Sequence, residues 1–194
     1  QEGGVNKWLL GQGAASQTSA FELFNAAGVI ALSVNKTSNV ATFSSGIAFS
    51  GQTDAAGMTA TTLNHYEEGT WTIGVTFGGG NTGMTLHVTD GAYTRIGDLV
   101  TVTGYMSMTA KGSSTGAALI TGLPFTVSNT NKGYSAPSLK LIRISFADFV
   151  NGNTTKAGTT FTLDESTNAG AITSLTDANF QDDSGLIFSL TYRI

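Results

Sequence analysis

The sequence predicts an all-β protein in two parts: a thin N-terminal β segment and linker over residues 1–64, then an antiparallel β-sandwich of jelly-roll-like kind over residues 65–194. Three observations carry this. Gly supplies 25 residues and Pro only 2, while Thr, Ser and Asn fill the spaces between apolar residues. Thr suits a pleated, half-buried surface, and Gly serves tight turns and positive-φ positions. Charged residues make up 11% of the chain, against about 25% in an average soluble protein, so the charged helix formers are scarce. Finally, apolar runs bounded by polar turns recur along the whole chain, many alternating with period two.

The first elements are short. Phe21-Glu22-Leu23-Phe24 leads to the turn Asn25-Ala26-Ala27-Gly28, and Val29–Val34 reads as a strand. The turn Asn35–Asn39 precedes Val40-Ala41-Thr42-Phe43, and Ser44-Ser45-Gly46 turns into Ile47-Ala48-Phe49. Strands of this length are ordinary, yet two or three of them are marginal in water. Large apolar side chains are too few here for a private core. Covering the segment with copies of itself solves the problem, as in fibrous β shafts whose units are stable only when stacked. Residues 51–64 are small and polar and read as a linker.

From His65 the strands lengthen. Thr70–Phe77 places Trp71, Ile73, Val75 and Phe77 on one face. Leu99–Thr109 alternates, with Leu99 opposite Val100 and Val102 in facing. Ser138–Val150 reads as one long strand, with Leu139, Leu141 and Arg143 on one side and Lys140, Ile142 and Ile144 on the other. Thr159–Leu163 and Leu186–Ile194 add two more, and Asn168–Phe180 reads as loop and strand. Some 125 residues bury about two-thirds of their unfolded surface, enough for a core.

Several functions are disfavoured. The net charge is −4 and the nine Lys and Arg are scattered singly, so the basic patch that nucleic acid or anionic lipid requires is missing. Without Cys there is neither disulfide nor thiolate metal site. No apolar run approaches the roughly 20 residues of a membrane span, and membrane insertion is not expected. The opening QEGGVNKW carries no signal-peptide pattern and reads as a cut from a longer protein.

Catalysis finds little support. His65 and His87 have no partner at catalytic spacing. The run Asp177–Asp183 spaces oxygens like a calcium loop, but position six is Asp182 and position twelve is Phe188, so it reads as a polar hairpin turn. Glu67, Glu68, Asp164 and Glu165 could supply a glycosidase pair only if folding brought two across a cleft. The Gly78–Gly83 run lacks the Lys-Ser/Thr and helix of a phosphate loop and reads as a hairpin tip. The expectation is a protein that is not an enzyme, with no catalytic residue, cofactor or metal.

Two loops have sugar-binding chemistry, since glycans are held by aromatic faces and by amide and hydroxyl hydrogen bonds on loops of a rigid scaffold. These are 129–134 and 151–156, giving the candidates Asn129, Asn131, Lys132, Tyr134, Asn151 and Asn153. The competing reading is that Asn and Gly simply form good turns. The loops flank the run 138–150 at opposite ends, so only one of them is expected to face outward. Tyr134 and the charge of Lys132 favour 129–134.

Three stretches carry a resemblance. Tyr66-Glu67-Glu68-Gly69-Thr70-Trp71-Thr72 is similar to a run found in bacteriophage tail fibre and related virion proteins. As in those proteins, it is followed by Gly91-Ala92-Tyr93-Thr94-Arg95-Ile96-Gly97-Asp98-Leu99-Val100 and by Thr121-Gly122-Leu123-Pro124-Phe125. The upstream Leu23–Gly28 and Asn39–Phe43 resemble the shaft-proximal part of the same group. The resemblance implies a homotrimeric receptor-binding protein at the tip of a phage tail. Such a protein is extracellular on the virion, joined to other virion tail proteins and attached to a bacterial surface glycan such as lipopolysaccharide or capsule. A purely structural virion component, or a polysaccharide depolymerase, is the alternative. Within the first motif, Gly69 is expected to permit a sharp turn, Trp71 to anchor the first strand, and the two carboxylates to resist edge pairing.

Overall fold

The computed structural model describes residues 8–11, 19–35, 37–49, 55, 56, 58, 60–63 and 65–194. The chain divides into two compact units, Gln1–His65 and Tyr66–Ile194. It is all-β with antiparallel sheets.

In the first unit β1 (Trp8–Gly11), β2 (Ser19–Asn25), β3 (Ile30–Asn35) and β4 (Ala41–Phe43) form an antiparallel meander in chain order, and β5 (Ile47–Ala48) pairs with β6 (Thr62–Leu63). Asparagine side chains build its turns. The Asn25 Oδ1 accepts hydrogen bonds from the amides of Ala27 and Val29, and the Asn35 Oδ1 from those of Thr37 and Ser38. These are Asx turns, in which a side chain substitutes for a backbone carbonyl. Among residues 21–35, 37–49, 55, 56, 58 and 60–63, no apolar side chain is buried, and Val29, Val40, Phe43, Ile47 and Phe49 are exposed. The one buried side chain among them is Glu22, whose Oε2 has no hydrogen-bond partner.

The second unit contains β7 (Tyr66–Thr72), β8 (Gly74–Phe77), β9 (Thr85–Ile96), β10 (Leu99–Ala110), β11 (Ala118–Thr121), β12 (Ser138–Ile144), β13 (Phe149–Asn151), β14 (Thr160–Thr162), β15 (Asp164–Ser166), β16 (Ile172–Ser174) and β17 (Phe180–Arg193). A five-stranded sheet runs β12-β17-β10-β9-β7; three-stranded sheets run β14-β11-β8 and β13-β15-β16. The apolar faces of the first two share one core, consistent with a β-sandwich. Val100, Val102, Met106 and Met108 of β10 meet Leu186, Phe188, Leu190 and Tyr192 of β17 on the inner face of the larger sheet. Phe161 of β14 packs edge-to-face on Phe188 at 5.0 Å between ring centroids, joining the two layers.

Trp71, Ile73, Val75 and Phe77 are all buried, as the alternation predicts. They do not lie on one strand, however. The chain leaves the five-stranded sheet after Thr72 and enters the three-stranded sheet at Gly74, while the Ile73 amide still bonds the Thr89 carbonyl. A single alternating run thus serves both layers, turning the corner at Ile73.

Two expectations are corrected. The run 138–150 is not one strand: β12 ends at Ile144, and β13 begins only at Phe149. Arg143 adopts φ +52°, and the register against β17 shifts between Ile142 and Ile144. This bulge turns Ile144 into the core, against the simple alternation. The buried Ser184 hydroxyl fixes it by donating to the Arg143 carbonyl, and the Arg143 guanidinium pairs with Asp183. Nor does Gly69 form a turn. It lies within β7 opposite Tyr93, whose ring covers it: a Cβ there would stand 2.9 Å from the ring. Two rungs along the ladder the relation reverses, with Trp71 covering Gly91. Each aromatic side chain fills the space its paired glycine leaves open.

Candidate receptor-binding surface

The two candidate loops meet. In the first, Asn131–Gly133 makes a 3-10 turn closed by the Gly133 amide on the Thr130 carbonyl at 3.0 Å. Gly133 is buried, and a Cβ there would be 2.1 Å from the Ser128 carbonyl oxygen, so no larger residue fits. In the second, Thr154 is fully buried. Its hydroxyl donates to the Gly133 carbonyl at 2.5 Å and accepts from the Ser135 amide at 2.9 Å, while its own amide bonds the Ser135 carbonyl at 3.0 Å. Below this joint the Ala157 amide bonds the Val127 carbonyl, and the Val127 amide bonds the Gly158 carbonyl. The expectation that the loops lie at opposite ends of one strand therefore gives way. With 138–150 broken at the Arg143 bulge, the chain returns 151–156 to the side of 129–134.

The joint produces an exposed cluster. The Lys156 ammonium lies 4.8 Å from the centroid of the Tyr134 ring and donates to the Asn131 Oδ1 at 3.3 Å. Tyr134 remains 55% exposed, so ring surface stays open to solvent beside the ammonium. Asn129 and Lys132 are exposed on the same loop. Asn153 is exposed, but its amide is engaged with the Thr154 carbonyl and the Thr162 hydroxyl. Asn151 belongs to the framework: its amide nitrogen donates to the Ser166 hydroxyl at 2.6 Å, and its backbone pairs with Asp164 in β13–β15. Lys156 is the member that sequence reasoning passed over. It stands in the second candidate loop of a chain with only nine Lys and Arg.

The motifs behind the resemblance converge elsewhere, on Tyr93. Its hydroxyl donates to the Glu67 carboxylate at 2.5 Å, and its ring meets Phe125 edge-on at 5.3 Å. The Glu67 carboxylate holds the phenol protonated and raises its pKa above the ordinary value, with burial adding to the effect. The Arg95 guanidinium lies 5.0 Å above the Phe125 ring. The Phe125 backbone also brackets the buried Tyr192 hydroxyl, amide at 3.2 Å and carbonyl at 3.1 Å. Burial pushes the Tyr192 pKa up to about 12, partly opposed by the bond to Phe125. Glu67, Gly69, Trp71, Tyr93, Arg95 and Phe125 thus build scaffold rather than a ligand site.

The acidic run is likewise structural. Asp177 Oδ1 accepts from the Gly116 amide at 2.8 Å, and Asp182 Oδ1 from the Lys111 amide at 2.9 Å. The Lys111 ammonium donates to the Asp177 carbonyl. Among the described residues, no group of three or more His, Cys, Asp or Glu side chains is arranged to hold a metal ion, and no helix is long and apolar enough to cross a membrane. No family model, no curated protein and no solved structure matches this chain.

Proposed function

We propose that this chain is the C-terminal part of a phage tail fibre or tail-tip adhesin. In this reading it is a homotrimer on the virion, carrying a jelly-roll-like receptor-binding domain and attaching to a bacterial surface glycan without catalysis. The observation that carries the proposal is the junction of loops 129–134 and 151–156. It groups an exposed tyrosine ring, the Lys156 ammonium and exposed amides, with Lys132 exposed on the same loop, on a chain of net charge −4. A sugar ring stacks on Tyr134, and Lys132 and Lys156 favour acidic sugars or phosphate substituents, as in lipopolysaccharide or capsule. Trimerisation is supported by the first unit, where from Phe21 onward the single chain fully buries no described apolar side chain.

A structural virion component is the second reading, and one feature favours it. Phe149 and Ile172 share a row of the β13-β15-β16 sheet through Ser166 and are exposed, as is Phe146. Such a patch fits a protein partner. Binding of the isolated protein to host cells and to a glycan array separates the readings. Replacing Tyr134 and Lys132 together by Ala should abolish cell binding while leaving assembly and melting temperature unchanged. Binding that survives the double change overturns this site. Release of reducing ends from host polysaccharide would replace adhesion with depolymerisation.

A further inference from the structure

The outer face of the five-stranded sheet is built unlike a solvated surface. Its rows run across the strands. One end row carries Tyr66, Ile96 and Leu99, all exposed. The fourth row reads Thr72, Asp90, Tyr105, Ile187 and Lys140 across β7, β9, β10, β17 and β12. Tyr105 and Ile187 there are exposed as well. The two rows between are threonine, serine and alanine but for Glu68, and Thr101 and Thr191 bond across strands at 3.0 Å. Five exposed large apolar side chains therefore lie on one face.

The few charges on this face sort by side. Arg193 is held by both Asp98 oxygens at 2.8 Å, and Glu68 accepts from the Tyr66 hydroxyl at 2.8 Å. Asp90 and Lys140 have no ion-pair partner among the described residues. They stand in the same row three strand spacings apart, about 14 Å, too far to pair within one chain. A copy rotated about an axis parallel to the strands keeps every row at its own level. Asp90 of one copy then meets Lys140 of the next, and the end rows of apolar side chains meet each other. Repeated around a threefold axis, each face gives its acidic half to one neighbour and its basic edge to the other. The face measures roughly 600–700 Å² from strand spacing and rise, shared between the two neighbours.

We propose that this sheet face is the self-association surface of the second unit, occupied by further copies of the same chain with Asp90 paired to Lys140 between copies. The proposal rests on the homotrimer reading and adds the surface that makes it. The shallow depression of about 450 Å³ on this face, lined by Thr70, Ala92, Thr103, Tyr105 and Ile187, is then filled by a neighbour rather than by a sugar.

Charge exchange on the full chain tests it by sedimentation equilibrium. Asp90→Lys and Lys140→Asp each place like charges opposite one another and should weaken assembly at least tenfold, with the far-ultraviolet spectrum unchanged. The double variant restores opposite charges and should recover assembly to within about threefold of the parent. Single variants that assemble like the parent, or a double variant no better than the singles, overturn this face while leaving the trimer standing. A parent chain that stays monomeric at 100 micromolar overturns both. Loss of cell binding in Asp90→Lys with assembly intact would assign the depression to a glycan and also overturn the proposal.

Discussion

The two units share an antiparallel design, yet they differ in what a strand obtains from its neighbours. All six residues of β3 are half-buried, and every residue of β4 is exposed. In β17, by contrast, Leu186, Phe188, Leu190 and Tyr192 are buried in strict alternation with exposed positions. The reason is a second layer. The meander β1–β4 is one sheet with no apolar face described as covered, whereas the five-stranded sheet has Ile73, Ile120 and Phe161 against it. Alternation and turn chemistry make strands; layering makes them stable alone.

Cutting the chain at the boundary gives the largest expected contrast. Residues 66–194 alone should melt cooperatively as a folded domain. Residues 1–65 alone should show no cooperative transition by circular dichroism at micromolar concentration. A sharp, concentration-independent melt of the short fragment would break the comparison.

Within the second unit, Trp71→Ala should cost about 3–5 kcal/mol, the range for truncating a buried large aromatic side chain. Gly91→Ala should cost about 1–3 kcal/mol by overpacking, because its Cβ would stand 2.4 Å from the indole nitrogen. The two costs should not add, since the space left by the indole admits the methyl group. Additive costs in chemical denaturation would show that the indole does not fill the glycine's space.

Strands were legible because period-two alternation records burial directly. The buried set Trp71, Ile73, Val75 and Phe77 follows from it, as does the opposite facing of Leu99 and Val100. What was illegible depends on backbone geometry that no pattern carries. Arg143 takes a left-handed conformation that residue type does not announce, and its bulge shifts the register just before the strand expected through Val150 ends at Ile144. The meeting of the two candidate loops follows from that break, so Lys156 could be placed beside Tyr134 only in three dimensions. Gly69 looked like a turn because glycine usually marks one; its actual reason, the ring of Tyr93, lies on another strand.

Thr154→Val sharpens the role of the loop junction. The change keeps shape but removes the hydroxyl that serves Gly133 and Ser135, leaving a buried carbonyl and amide short of a partner. The expected cost is about 1–3 kcal/mol. Receptor binding should fall with it even at temperatures where the domain stays folded, because Tyr134 and Lys156 are then no longer held together. A variant destabilised by this amount that binds cells as the parent does would show that the two loops act separately.

The smallest effect concerns pH, and it belongs wholly to the second unit, where Tyr66, Tyr93, Tyr105, Tyr134 and Tyr192 all lie. The folded state raises the Tyr192 pKa to about 12 by burial, whereas an unfolded tyrosine titrates near 10, so the folded chain keeps a proton the unfolded chain releases. The stabilisation from this is complete below pH about 10 and is lost as pH rises toward about 12. Tyr192→Phe removes both that contribution and the hydrogen bonds to the Phe125 backbone, costing about 1 kcal/mol at neutral pH. The melting-temperature gap between parent and variant should therefore narrow above pH about 10 and close by pH about 11. Tyr66 and Tyr93, whose pKa values are raised by Glu68 and Glu67, occur in both proteins and cancel in the difference. Parallel melting curves across that range would mean that Tyr192 ionises as readily in the folded domain as in the unfolded chain, and that its hydroxyl is not sealed beneath Phe125.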